Sequence, residues 1–207
     1  MRQPWCYCAE IPQLTAAAQV LILRHVKERT RASNSGLITH HALLGSQLFD
    51  LGAPDSPTPP ELGLAGDWLL FPGPVNLPPP GALRRLIVLD GSWSQCRSMF
   101  GRLTKLHTMP RLSLPPPTRP PAMRMRTQQR EDGMATMEAI AEALDALGDA
   151  ESAEGLRALY DVMARQHLDQ RGGPAALGPA ALGLGAAGLE SGLSSLDADA
   201  DDDQGGS

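Results

Sequence analysis

Three short apolar runs limit the folds that this sequence can adopt. Residues 19–23 (QVLIL), 68–71 (WLLF) and 85–89 (RLIVL) have the length of buried strands, and loops rich in proline, glycine or polar residues lie between them. Apolar residues at helical spacing follow the first run at positions 37–48 and the third run from Trp93 onward. Alternating strands and helices predict an α/β fold in which a mainly parallel sheet has helices on both faces.

The rest of the chain continues this pattern. Residues 109–114 predict a fourth strand, whereas residues 115–121 contain too many prolines for a helix or a strand. Residues 134–147 and 154–168 predict amphipathic helices. The helix predicted at 37–48 has three side chains able to cap its start, Ser33, Asn34 and Ser35.

The third apolar run leads directly into a charged residue, Asp90. Ser92 precedes Gln95 by three residues, which is the capping-box spacing and predicts a helix that begins at Trp93. Parallel sheets bind ligands at the carboxyl ends of their strands, and the first N–H groups of a helix bind carboxylates or phosphates. Asp90 is therefore placed either to accept a proton or to pair with an ammonium group. The alternative is that Asp90 only ends the strand and Ser92 only caps the helix.

Charge and composition divide the chain into two parts. All 18 Lys and Arg residues lie within residues 1–171, which have the composition of one globular domain. Residues 172–207 consist mainly of Gly, Ala, Leu, Ser and Asp, and they contain six acids and no basic residue. Such a segment cannot bury enough apolar surface to offset its chain entropy, so we predict a disordered, low-complexity acidic tail.

One segment inside the globular part is strongly basic. Residues 84–130 contain ten Lys and Arg residues and one acid, Asp90. Ordinary surfaces mix the two signs of charge, so this excess indicates a polyanionic partner such as nucleic acid. The alternative is a solvated basic face that the acidic C-terminal helices balance.

The sequence shows neither a membrane segment nor a signal peptide. No stretch approaches the roughly 20 apolar residues of a membrane span. The N-terminal residues lack the apolar run of a secretory signal, and three cysteines do not make a disulfide framework. We therefore expect a protein of the reducing cytoplasm that has no membrane partner.

Asp90-Gly91-Ser92-Trp93 is one of several motifs that resemble a known family. The DTW-domain family of tRNA-uridine aminocarboxypropyltransferases has the signature Asp-x-Thr-Trp, which this chain matches with serine in place of threonine. The resemblance covers roughly residues 5–165 in the order that the family shows. Its other elements are CYCAEIP at 6–12, His25 with Glu28 and Asn34-Ser35-Gly36, LLFPG at 69–73, and MRTQQREDGMATMEAIAEAL at 125–144.

The resemblance implies an enzyme with a SPOUT-like α/β fold, a fold in which the chain can be knotted. It implies S-adenosylmethionine as the donor substrate and transfer of its 3-amino-3-carboxypropyl group to N3 of a tRNA uridine, with release of methylthioadenosine. The expected partners are thus S-adenosylmethionine and tRNA. SPOUT-like enzymes act as dimers or as monomers, so the oligomeric state stays open.

The resemblance also implies roles for single residues. Asp90 is the expected general base for the uridine N3 proton, or else the partner of the methionyl ammonium group. Trp93 would stack on adenine or uracil, unless it is a core residue. Arg126 would bind a phosphate or carboxylate through its guanidinium fork, with Arg124 nearly equivalent. The expected substrate-binding residues are Asn34, Arg111, Arg124 and Arg126, and the expected cofactor-binding residues are Phe71, Pro72, Gly73, Leu89, Asp90, Gly91, Ser92 and Thr136.

Cys6 and Cys8 are candidate ligands of a structural zinc ion. Members of the family commonly have a further Cys-x-x-Cys pair upstream, and four thiolates together suit a structural zinc ion. Two sulfurs do not make a closed zinc site. We therefore expect zinc only in a longer natural chain that supplies the upstream pair.

Two other function classes fit the same sequence. One is a SPOUT-type RNA methyltransferase, which would use the same donor and leave S-adenosylhomocysteine. The other is a non-catalytic RNA-binding module, which the basic segment and the departures at Ser92 and Ala135 favour. Its RNA affinity would fall steeply with salt and would not depend on Asp90.

Overall fold

The computed structural model of the chain describes residues 6–53, 56–115 and 133–170. Five strands and four α-helices follow one another in the order β-α-β-β-β-α-β-α-α along these ranges, and a 3-10 turn at Thr104–His107 follows the second helix. The strands are β1 (Gln19–His25), β2 (Gln47–Leu51), β3 (Asp67–Leu70), β4 (Arg85–Asp90) and β5 (Arg111–Leu112). The helices are α1 (Ser35–Ala42), α2 (Trp93–Arg102), α3 (Thr136–Ala146) and α4 (Ala150–Gln170).

The strands form one parallel sheet in the order β2-β1-β4-β3-β5. The predicted α/β fold with a mainly parallel sheet is confirmed, and so are the predicted strands at β1, β3 and β4. The fourth predicted strand exists but is short, since β5 contains only Arg111 and Leu112. The predicted acidic tail at 172–207 lies outside the described residues.

The predicted helix at 37–48 is wrong in its second half. Asn34 caps α1, which ends at Ala42, and Gly45 turns the chain with a positive φ of 73°. Residues Gln47–Leu51 then pair in parallel with β1 and form β2, a strand that was not predicted. Leu44, one of the apolar residues that indicated a longer helix, is 53% exposed. The open edge of β1 explains the difference, because its backbone groups need a hydrogen-bonding partner that local periodicity does not reveal.

Each face of the sheet packs against its own helices. Side chains alternate along β1, so Val20 and Ile22 face one side, whereas Leu21 and Leu23 face the other. The first side is covered by α1, α3 and α4, and the second by α2 and the 3-10 turn. This confirms helices on both faces. No helix in the described ranges, α4 included, combines the length and the apolar character that a bilayer span requires.

The order of the strands places a crevice at the ends of β1 and β4. The connection from β1 through α1 leads to β2 on one side, and the connection from β4 through α2 leads to β5 on the other. The two helices therefore leave adjacent strands in opposite directions. Open α/β sheets bind their ligands in the crevice at such a point. The turn Asp90–Trp93 lies there.

Truncating a core leucine should show how much the α3/α4 side of the core contributes. Leu86 of β4 is fully buried there, and we expect Leu86→Ala to lower the free energy of unfolding by about 2–5 kcal/mol. Leu44→Ala is the matched control, since the exposed Leu44 should lose less than about 0.5 kcal/mol. Urea unfolding followed by circular dichroism measures both. Equal losses in the two variants would contradict the assigned core.

Candidate functional site

Asp90 ends β4 within a charged row that crosses three strands. The parallel register places Asp50 of β2, Arg24 of β1 and Asp90 of β4 side by side. By alternation along the strands, Arg24 and Asp90 face the side that α1, α3 and α4 cover. Asp90 is only 3% exposed, so its carboxylate needs partners within the protein.

Two helix starts supply those partners. Asn34, the cap of α1, donates a hydrogen bond from Nδ2 to Oδ2 of Asp90 at 2.6 Å. Thr136, the first residue of α3, donates from Oγ1 to Oδ1 of Asp90 at 2.6 Å. Both bonds are short, as is typical of bonds to a charged acceptor. The Asp90 carboxylate therefore joins the end of β4 to the amino ends of α1 and α3.

Gly36 lets α1 approach this carboxylate. A Cβ atom at Gly36 would lie 2.5 Å from Oδ2 of Asp90, which is closer than side-chain carbons are found. Any other residue at this position would displace either the helix or the carboxylate. The close approach explains a glycine in the first turn of a helix, where it otherwise weakens helix formation.

Arg24 orients the Asn34 amide. Its guanidinium forms a two-point ion pair with Asp50, with Nε to Oδ1 at 2.6 Å and Nη2 to Oδ2 at 3.0 Å, and Nη1 also reaches Oδ1 of Asn34 at 3.5 Å. The same Oδ1 accepts the Leu37 N–H at 2.8 Å. With two donors on its oxygen, the Asn34 amide must turn its nitrogen toward Asp90.

Burial controls the ionisation of the groups around Asp90. Burial raises the pKa of Asp90 and outweighs the hydrogen bonds from Thr136 and Asn34, while the charge of Glu28 raises it further. Burial, together with the charges of Asp90 and Glu28, raises the pKa of Cys96 to about 12. Cys96 is therefore a neutral thiol at physiological pH and not a thiolate nucleophile.

The turn after Asp90 starts α2 as predicted. The Ser92 Oγ accepts the Gln95 N–H at 3.4 Å, and Oε1 of Gln95 accepts the Ser92 N–H at 2.6 Å, which completes a capping box. Serine thus performs the capping that the family's threonine would perform. Two backbone N–H groups at this turn are occupied by the cap, so they are not donors for a bound anion.

The segment after β3 packs on the opposite side of the sheet from Asp90. The Phe71 ring stacks on Phe100 of α2 at a centroid distance of 4.8 Å, and the Arg111 guanidinium lies over both rings at 5.6 and 5.1 Å. The Ser113 hydroxyl donates to the Phe71 carbonyl at 2.7 Å. A Cβ at Gly73 would lie 3.1 Å from that hydroxyl oxygen, so glycine fits closely here.

The predicted site residues thus fall into two groups. Asn34, Asp90 and Thr136 meet on the α1/α3 side of the sheet, whereas Phe71, Leu89 and Arg111 lie on the α2 side. Gly91, Ser92 and Trp93 form the turn between the two sides, and Pro72 and Gly73 are exposed at the end of β3. The predicted substrate-binding residues Arg124 and Arg126 lie outside the described residues.

The two N-terminal cysteines do not form a metal site with other described residues. Their sulfur atoms lie 3.0 Å apart and both residues are exposed. Within the described ranges, no group of three or more His, Cys, Asp or Glu residues is placed to hold a metal ion. The two thiols alone do not fit a structural zinc ion, which needs four ligands.

Arg24, Asp50 and Phe100 contribute to this region and were not found from the sequence. The available signal for Arg24 and Asp50 was a charged residue near the end of a strand. The predicted helix at 37–48 covered only the first two residues of β2, and no strand was predicted at Asp50. Phe100 gave no local signal, because an aromatic residue on an amphipathic helix normally belongs to the core.

The comparison with known families agrees with this geometry. The DTW-domain family model matches residues 1–168, which include every described strand and helix except the last two residues of α4. The chain belongs to the DTW-domain family. This family is associated with tRNA modification, and membership supports a transferase in general. In this DTW domain, the signature is the turn between β4 and α2, and its aspartate is the buried acceptor of Asn34 and Thr136. No solved structure matches the chain significantly.

Removing the Thr136 hydroxyl should raise the pKa of Asp90 further and destabilise the fold. We expect Thr136→Val to lower the free energy of unfolding at neutral pH by about 1.5–3 kcal/mol, because a hydrogen bond to a charged acceptor is lost. Thr136→Ser keeps the hydroxyl and is the control. Carbon-13 NMR titration of the Asp90 carboxyl measures the pKa.

The pH dependence of the Thr136→Val effect has a defined sign. The folded pKa of Asp90 lies above its unfolded value, so the stability gained from protonation is complete below the unfolded pKa and is lost as pH rises through the folded pKa. The variant raises the folded pKa, so its destabilisation should be larger at neutral than at acidic pH. Destabilisation that does not change with pH would contradict a charged acceptor.

Two arginines that contact the Asp50 carboxylate should contribute differently to the free energy of unfolding. The Arg24 side chain is 5% exposed and pairs with Asp50 through two bonds, whereas Arg29 is 56% exposed and lies 3.6 Å from the same residue. We expect Arg24→Met to cost about 3 kcal/mol or more, since it leaves the half-buried Asp50 without its main partner. Arg29→Met should cost less than about 1 kcal/mol. Chemical unfolding tests this order, and the reverse order would refute it.

Proposed function

We propose that this DTW domain transfers the 3-amino-3-carboxypropyl group of S-adenosylmethionine to N3 of a tRNA uridine and releases methylthioadenosine. The observation that supports the proposal most is the Asp90 carboxylate. It is the first residue of the family signature, it is buried at the crevice between β1 and β4, and it is held by Asn34 and Thr136. Two helices thus direct side-chain donors at the one carboxylate of the signature.

The chemistry requires one proton acceptor. Uridine N3 attacks the methylene carbon next to the sulfonium, the N–C bond forms and the C–S bond breaks, and the electron pair returns to sulfur. The N3 proton must leave during this step. Asp90 is the acceptor in this proposal, because burial raises its pKa and makes it a stronger base than an exposed aspartate. Each carboxylate oxygen accepts one bond from the described residues and keeps a second lone pair.

The charges around the crevice favour a cationic donor. Asp90 and Glu28 are both buried, and their charges interact closely enough to raise the Asp90 pKa. The sulfonium and the ammonium of S-adenosylmethionine would reduce that repulsion when the donor binds. Asp90 would then be either the proton acceptor or the partner of the ammonium group, which kinetics can separate.

Direct transfer fits this site better than a covalent enzyme intermediate. Cys96 is the thiol nearest to the signature turn, and its Sγ lies 3.4 Å from the Gly91 carbonyl oxygen. Its pKa of about 12 keeps it protonated. The sulfonium already activates the carbon for attack, so the protein needs only to position the two substrates and exclude water.

Product analysis with matched variants tests the proposal. Wild-type protein, S-adenosylmethionine and unmodified tRNA should yield methylthioadenosine and a heavier uridine in mass spectrometry. Asp90→Ala should lower kcat by about 10²–10⁴-fold if Asp90 is the base, whereas a mainly raised KM for the donor would indicate an ammonium partner. Asp169→Ala, at an exposed position of α4, is the control.

Other products would overturn the reaction. S-adenosylhomocysteine with a methylated base would make the protein a methyltransferase. Binding of tRNA without any product from the wild type would favour a non-catalytic RNA-binding module. Because Asp90→Ala leaves two donors without their acceptor, thermal unfolding should confirm that the variant is folded, and Asp90→Asn provides a variant of the same size.

A further inference from the structure

We propose that the exposed surface formed by α2 and the 3-10 turn Thr104–His107 binds the phosphate backbone of the tRNA. The proposal rests on the proposed function for its choice of partner, and it goes further by assigning the surface. We call this surface the α2 surface. It comprises the exposed residues Arg97, Arg102, Lys105 and His107 and the adjacent Arg111.

The α2 surface has one sign of charge. No Asp or Glu occurs between Gly91 and Pro115. Among the described residues, Arg97, Arg102, Lys105 and Arg111 have no carboxylate within ion-pair distance. Several described arginines elsewhere are paired: Arg24 with Asp50, Arg31 with Glu28, Arg85 with Asp67, and Arg157 with Glu142, Asp145 and Glu154. The α2 surface therefore keeps its positive charge for an external partner.

Aromatic rings hold one of these charges in place. The Arg111 guanidinium lies over the rings of Phe71 and Phe100. His107 packs against Phe100 with centroids 4.6 Å apart, and its Nε2 lies 2.8 Å from the Phe100 carbonyl oxygen. A guanidinium held over aromatic rings loses little freedom when it binds a phosphate, and rings beside a basic surface offer places for nucleobases to stack.

The α2 surface adjoins the signature turn. Arg97 lies four residues after Trp93, which places the two side chains on the same side of α2. At the end of β1, His25 lies against Gly91, since a Cβ at Gly91 would be 3.4 Å from the His25 Cβ. Burial lowers the pKa of His25, and the charges of Lys27 and Arg102 lower it further. Arg102 of the α2 surface thus lies near the end of β1, so a phosphate backbone bound on this surface passes close to the signature turn.

The opposite face of the sheet has a different electrostatic character. Glu142, Asp145 and Glu154 surround Arg157 on α3 and α4. An RNA backbone would be repelled there. RNA is favoured over an anionic membrane as the partner because the family is associated with tRNA modification and because aromatic rings accompany the basic side chains.

The test compares two double variants of equal charge. Arg97→Ala with Arg102→Ala removes two charges from the α2 surface. Arg84→Ala with Arg165→Ala removes two exposed charges elsewhere, one directly before β4 and one on α4. Affinity for the tRNA substrate is measured by filter binding or fluorescence anisotropy over a range of salt concentrations.

The α2 variant should reduce the slope of log affinity against log salt by about 1.4–1.8, at about 0.7–0.9 for each phosphate contact. At about 0.1 M salt its affinity should fall on the order of tenfold. The control variant should match the wild type in both quantities. Methylthioadenosine formation at saturating tRNA should be retained in the control variant.

Each contrary outcome is separable. If the wild type forms methylthioadenosine but the α2 variant keeps the wild-type slope, the surface assignment fails and the proposed function stands. If binding is lost in the α2 variant but the wild type forms no product, the proposed function fails and the surface assignment stands. If the wild-type protein binds vesicles containing phosphatidylserine but does not bind tRNA, the choice of partner is overturned. A wild type that binds no RNA overturns both proposals.

Discussion

The two hydrogen bonds that Asn34 and Thr136 donate to Asp90 are the interaction on which the strand-end region depends. A buried carboxylate without partners costs several kcal/mol, so the sheet and the starts of α1 and α3 must assemble together. Gly36 provides the necessary clearance, because a Cβ there would overlap the carboxylate. The same contacts that stabilise the fold therefore hold the group that we propose as the base.

Arg24 extends this interaction to the edge of the sheet. It pairs with Asp50 of β2 and contacts the oxygen of Asn34, so the orientation of the Asn34 amide depends on a neighbouring strand. Asp50 and Asp90 flank Arg24 in the register, which places one positive charge between two negative ones. The arrangement explains why an arginine can be buried at the end of a strand that is otherwise apolar.

The buried acidic groups and the basic α2 surface lie at different places on the sheet. The acidic side chains of Asp90 and Glu28 are buried, whereas the basic side chains of the α2 surface, which have no carboxylate partner among the described residues, lie at the surface. A cationic donor and a polyanionic acceptor would thus meet opposite charges on either side of the signature turn. The net charge of the chain, −5, gives no sign of the basic α2 surface, because residues 172–207 contain six acids and no basic residue.

Local signals in the sequence were sufficient wherever one short segment decides its own conformation. The apolar runs predicted three strands, and the spacing of Ser92 and Gln95 predicted the start of α2, because a capping box involves only four residues. Local signals failed at β2, which forms because β1 has an open edge. They identified the family motifs but did not show which motifs contact one another. The bonds from residues 34 and 136 to residue 90 join positions 56 and 46 residues apart.

The sequence by itself determined the fold class, the signature turn and the basic segment, since these follow from periodicity, capping and composition. Only the tertiary structure decided that Asp90 is buried, that Arg24 orients its partner, and that Arg97, Arg102, Lys105 and Arg111 stay unpaired within the described residues. The physical reason is that burial and charge pairing are properties of neighbours in space. Parallel strands bring distant residues into one row, and no local pattern records that register.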